Sequence, residues 1–138
     1  MAIQFNQMVY PRGIRSPSVV VTGANSTFSG TAVPANLVFL AAVGPNGSYL
    51  RKLYALPNAP NSATQVQLFK WNGSNLYFVR RAVMPTYGSV AAAVECDFAL
   101  TETYNLFLGP ETPNWVWYVG IDTALAAGIT VSGEIEDL

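Results

Sequence analysis

The chain has 138 residues and 14.8 kDa, the size of one domain. Hydrophobic residues make up 51% of it and charged residues only 11%, less than half the usual share of about 25%; that balance excludes global disorder. It contains no histidine and one cysteine, which removes most general-base, triad and zinc chemistry and any internal disulfide.

In chain order, residues 1 to 17 are polar and irregular, with Pro11, Gly13 and Pro17. They read as an N-terminal arm, although Ile3 to Tyr10 could be extended. No basic cluster precedes an apolar stretch there, so a signal peptide is not expected. Ser18 to Thr22 is a β-branched run and predicts a strand. Residues 23 to 36 are a small-residue loop. Leu37 to Val43 is the longest apolar run, of strand length and far short of a membrane span. Gly44-Pro45-Asn46-Gly47-Ser48 predicts a hairpin turn, because Asn-Gly accepts positive φ, with Tyr49 to Leu56 as the returning strand. Thr64 to Trp71 and Leu76 to Arg80 flank Asn72-Gly73-Ser74-Asn75 and predict a second hairpin.

Val90 to Leu100 fits two patterns. Val90, Ala92, Val94, Cys96, Phe98 and Leu100 alternate as in a strand, whereas Val90, Val94 and Phe98 also fit a helical stripe; the strand is the favoured expectation. Tyr104 to Leu108 predicts a short strand. Trp115 to Ile121 carries the strongest strand signal, and Ile129 to Ile135 the last. About eight or nine short strands separated by turn residues predict an all-β protein, an antiparallel β-sandwich of jelly-roll type. The domain is expected to span residues 18 to 138.

Charge is segregated along the chain. All seven basic residues lie at or before Arg81, and all eight acids lie at or after Glu95. Random shuffling would produce such a division about once in several thousand trials, so the two halves are expected to meet, within or between subunits. Arg80 and Arg81 are the expected partners of the acids between Glu95 and Glu102, a short turn away. The basic residues are too sparse for a nucleic-acid patch.

Candidate chemistry is thin. Glu95 and Asp97, with Glu102 and Asp122, could form an oxygen-rich cluster for calcium or glycoside chemistry. A solvated face paired with Arg51, Arg80 and Arg81 is the simpler expectation. Cys96 lies on the apolar side of its segment and reads as an inert thiol. A Ser-Lys dyad would need Lys52 or Lys70, both on strand-like segments. The sequons at Asn25, Asn46 and Asn72 read as turns. The aromatics are the better lead. Trp115 and Trp117 share one face of their strand and Tyr118 takes the other, which points to core packing, a partner surface or a sugar-binding platform.

Several segments together carry a resemblance. They are the Ser/Thr/Gly/Ala-rich first third, Gly-Pro-Asn-Gly-Ser at 44 to 48, and Thr64-x-Val66-x-Leu68-Phe69 before an Asn-Gly-Ser turn. Leu106-x-Leu108-Gly109-Pro110, Trp115-x-Trp117-x-Val119 and Val131-x-Gly133-x-Ile135-x-Asp137 complete the set. In this layout the chain is similar to small β-sandwich virion proteins of tailed bacteriophages, including capsid decoration (cement) proteins. The resemblance implies a non-enzymatic protein without a cofactor that forms homo-oligomers, often trimers. It implies binding to the major capsid protein or another virion subunit, with no direct nucleic acid or membrane partner, in a particle assembled in the bacterial host cytoplasm. A tail, collar or head-tail adaptor component and a carbohydrate-binding module are the alternatives. Interface candidates are Phe5, Tyr10, Arg12 and Arg15 of the arm, with Arg80, Arg81, Trp115 and Trp117.

Overall fold

The computed structural model describes residues 13–98, 100, 105–106 and 115–138. These form two antiparallel sheets stacked as a β-sandwich. The first sheet is built around two long strands, β5 (Ser48–Pro57) and β11 (Ile129–Asp137), paired over nearly their whole length. On the far side of β11 lie β1 (Gly13–Arg15) and β2 (Ser18–Val21), end to end. On the far side of β5 lie β8 (Cys96–Asp97) and β9 (Asn105–Leu106). The second sheet runs β3 (Ser29–Gly30), β7 (Leu76–Met84), β6 (Thr64–Trp71), β10 (Val116–Ile121) and β4 (Val38–Ala42).

Alternation in the sequence decides which side chains enter the core. On β11, Ile129, Val131 and Ile135 are buried, while Thr130, Ser132 and Glu134 face outward. On β5 the period slips at Arg51-Lys52, opposite a register shift between Glu134 and Ile135; a bulge there turns both basic side chains to solvent while keeping Leu50 and Leu53 inside. From the second sheet, Val66, Leu68, Trp117, Val119 and Ile121 close the same core. Full burial of such a side chain is worth about 1.5–3 kcal/mol, against about 0–1 kcal/mol for an exposed ion pair. The core, not charge pairing, therefore holds the sandwich together.

The hairpin expected at Asn72 to Asn75 is present. β6 and β7 pair from Thr64↔Met84 to Trp71↔Leu76, with Gly73 at φ +93° in the turn. The hairpin expected at Gly44 to Ser48 is not. Gly47 does take positive φ (98°) and the chain does reverse, but it passes from the second sheet to the first. β4 pairs with β10 instead, and β5 pairs with β11. A turn signal specifies reversal; whether the two arms lie in one sheet depends on which distant strand offers the better apolar partner.

Val90 to Leu100 also departs from expectation. Residues Val90–Ala92 form a 3-10 turn, and among the described residues the strand is reduced to Cys96–Asp97, paired with β5, with the Phe98 N–H also donating to the Leu53 carbonyl at 3.0 Å. Val90 and Val94 are exposed, whereas Cys96 and Phe98 are buried, so the alternation finds a core only at its end. Of the expected arm, residues 1–12 lie outside the described residues, and Gly13–Arg15 is a strand of the first sheet. The expected strand Tyr104 to Leu108 is described only at Asn105–Leu106.

Candidate interaction surface

The two outer faces of the sandwich differ in kind. On the first sheet several outward side chains pair with one another. Arg51 pairs with Glu136 at 3.2 Å and Lys52 with Glu95 at 3.5 Å. The same two cations stand over Tyr49 and Tyr54, at 4.5 and 4.7 Å from the ring centroids. Ser18 and Ser132 share a hydrogen bond of 2.6 Å, and the Thr130 hydroxyl donates to Asn58 at 2.7 Å. Ile14 and Val20, on β1 and β2, are exposed apolar side chains of the same sheet, and Glu134 adds an exposed carboxylate.

The outer face of the second sheet carries aromatics. Register places Phe39, Tyr118, Phe69 and Phe78 side by side across β4, β10, β6 and β7. Phe39 meets Tyr118 edge-on at 5.9 Å, and Phe69 meets Phe78 at 5.3 Å. Phe28, from the loop before β3, adds contacts to Phe78 at 5.1 Å and Phe69 at 6.2 Å. Such pairs add about 0.5–1.5 kcal/mol each beyond the area they bury. Phe69 is fully buried, but Phe39 remains 49% and Phe28 37% exposed. The Arg81 guanidinium lies over Phe78 at 5.4 Å.

A loop fastened by buried polar groups covers the middle of this row. The Asn25 side-chain amide donates to Gln67 Oε1 at 3.0 Å, and Gln67 Nε2 donates back to the Asn25 carbonyl at 3.2 Å. The Asn25 backbone N–H donates to Ile121 at 2.7 Å. Both side chains are buried, and the reciprocal bonds offset the cost of removing them from water. Gly120 makes the close approach possible, since a Cβ there would lie 2.5 Å from Leu37 Cδ2. Leu37, Phe69 and Leu76 form a small second core under the loop, flanked by Val33, Trp71, Phe78 and Tyr118.

A separate corner holds Lys70, Tyr77 and Trp115. The two rings lie 6.0 Å apart, and Lys70 Nζ stands 5.2 Å from Trp115 and 5.8 Å from Tyr77. Trp115 is thus half-buried beside an exposed tyrosine. Trp117, proposed with it as an interface residue, is 1% exposed in the main core; the strand's alternation turns it between the sheets, so it belongs to no surface of this chain.

The other candidates fall as follows. Phe5, Tyr10 and Arg12 lie outside the described residues. Arg15 is an internal fastener. Its Nε and Nη2 donate to the Asp137 carboxylate at 2.7 and 2.8 Å, and Nη2 also donates to the Ala42 carbonyl at 2.7 Å, tying the first sheet to β4 of the second. Ser48 Oγ donates to Asp137 at 2.6 Å and accepts from the Gly44 N–H at 2.7 Å. Arg80 and Arg81 lie on β7, opposite Leu68 and Gln67. Of the acids between Glu95 and Glu102 expected to pair with them, Glu95 pairs with Lys52, because β8 packs along β5, and Glu102 lies outside the described residues. The broader expectation that basic and acidic halves meet is met within the chain, at Arg15–Asp137, Arg51–Glu136 and Lys52–Glu95.

Among the described residues the carboxylates do not converge; Glu102 lies outside them. Asp122 accepts from the Thr64 hydroxyl at 3.0 Å and the Gln65 N–H at 2.7 Å, a turn-fastening role. Among the described residues no three Asp, Glu, Cys or His side chains are placed to hold a metal ion. Cys96 is buried, its thiol directed at the Val83 carbonyl at 3.3 Å. Burial pushes its pKa up, and neighbouring Asp97 adds to the rise, which disfavours the reactive thiolate.

The Arg15 hydrogen bonds hold the Asp137 carboxyl below the usual carboxylate range, helped by Ser48 and opposed by partial desolvation. A depressed folded-state pKa gives stability that is complete above the unfolded value of about 3.9 and is lost as pH falls through the folded value. Asp137→Asn is therefore expected to cost about 1–2 kcal/mol at neutral pH, the lower part of the range for charged hydrogen bonds because the pair is partly exposed. Urea titrations over a pH series should show the variant and the parent converging in acid. Equal stability at neutral pH would remove the fastening role.

The aromatic row was not foreseen. Phe69 and Phe78 could have been paired by counting outward from the Asn72 turn, but Phe39 and Tyr118 join them only through non-local strand pairing. Comparison of the chain with family models, curated proteins and solved structures finds no match.

Proposed function

We propose that the chain is a non-enzymatic structural protein of a bacteriophage virion, a capsid decoration (cement) protein that oligomerises and fastens neighbouring capsid subunits. The observation that carries this reading is the partly exposed aromatic row on the outer face of the second sheet, opposite a first-sheet face laced with ion pairs and hydroxyl hydrogen bonds. A fastening protein needs one face that adheres and one that stays soluble. In this reading the Phe39 edge of the row packs against a neighbour, and repetition over a lattice turns modest single contacts into avidity. The first sheet faces outward.

Light scattering after size exclusion, followed by co-sedimentation with emptied heads and with tails, tests the proposal. Oligomers that bind heads support it. Binding to tails alone moves the protein to a tail, collar or adaptor position. A monomer that binds neither particle overturns the reading. The carbohydrate-binding alternative rests on the Tyr77–Trp115–Lys70 corner, and a glycan array distinguishes it from the virion readings.

A further inference from the structure

The chain contains two Asn-Gly pairs, Asn46-Gly47 and Asn72-Gly73, each followed by serine. The fold places them in opposite chemical situations. We propose that Asn72 is a spontaneous modification site, at which the backbone converts the side-chain amide to aspartate and isoaspartate through a succinimide, while Asn46 is protected.

In the reaction the glycine amide nitrogen loses its proton to solvent base and bonds to the asparagine Cγ. The Cγ–Nδ2 bond then breaks, and Nδ2 leaves as ammonia after taking a proton from water. A water molecule opens the ring at either carbonyl, giving aspartate or isoaspartate. Water is the only co-reactant, and no electrons are transferred. The step needs a free glycine N–H and is accelerated by little steric crowding and by donors aimed at Oδ1, where negative charge develops.

Asn72 supplies each of these. Its Oδ1 accepts from the backbone N–H groups of Ser74 at 2.9 Å and Asn75 at 2.7 Å. That pair of donors has the arrangement of an oxyanion hole at the atom that gains charge. Gly73 is exposed, and its N–H donates no hydrogen bond among the described residues. At the other pair the nucleophile is engaged: Gly47 is buried and its N–H donates to the Gly44 carbonyl at 3.0 Å. The Asn46 amide nitrogen donates to the Leu138 carbonyl at 3.4 Å.

The two products differ in consequence. Aspartate keeps the oxygen that fastens the turn and adds a negative charge at the hairpin tip. Isoaspartate inserts a methylene into the backbone between β6 and β7, where the register from Trp71↔Leu76 onward begins. This inference is independent of the virion reading.

The test is incubation of the folded full chain in mildly alkaline buffer, with peptide mapping by mass spectrometry and enzymatic methylation to reveal isoaspartate. A parallel sample is held unfolded in urea. Folded protein is expected to convert Asn72 about tenfold or more faster than Asn46, a difference of the size that single oxyanion donors command. In urea the two sites should convert at similar rates. Equal rates in the folded protein, faster conversion at Asn46, or the same preference for Asn72 in urea would each overturn the proposal.

Discussion

Trp117→Ala is expected to destabilise the chain by about 3–5 kcal/mol, the range for removing a large aromatic side chain from a packed core. Total stability for a domain is about 5–15 kcal/mol, so this variant should approach or cross the unfolding threshold at physiological temperature. The indole lies on the inner face of β10, and its neighbours in register are Ala41 on β4 and Lys70 on β6. Alanine at 41 leaves the room that the indole fills. Because β10 lies between β4 and β6, loss of its largest side chain weakens both pairings. Urea unfolding followed by Trp fluorescence and circular dichroism measures the effect. A change below about 1 kcal/mol would mean that the core collapses to fill the space, and would return Trp117 to consideration as a surface residue.

Phe39→Asp is expected to have the opposite signature, with folding nearly intact and association lost. Phe39 is half exposed on an edge strand, so its removal creates no cavity. If the aromatic row docks on a neighbour, a carboxylate placed there must be desolvated against an apolar surface. An interface anchor of this kind typically contributes 2 kcal/mol or more, about a thirtyfold loss of affinity. Glu134→Gln, on the opposite outer face, serves as the control and should leave binding unchanged. Sedimentation velocity and binding to emptied heads measure both variants. Association of Phe39→Asp at parental strength would exclude this row as the adhesive face.

The sequence by itself determined the fold class and most strand positions. Ile129, Val131 and Ile135 alternate with Thr130, Ser132 and Glu134, and period-2 alternation has one sheet-forming solution. The Asn72 turn was equally legible: Asn-Gly specifies a reversal, and there the two flanking strands pair with each other. What only the tertiary structure decided is non-local pairing. The same turn chemistry at Gly44 to Ser48 reverses the chain between sheets, because β10 takes β4 and β11 takes β5. Lys52 rather than Arg80 or Arg81 faces Glu95 because β8 lies along β5. The aromatic row likewise exists only once four strands are in register. Phe69 is buried under the loop that carries Leu37 and Val33, while Phe39 at the sheet edge stays half exposed. Local chemistry sets the conformation of each segment; long-range burial chooses its neighbours, and that choice cannot be read from any one segment.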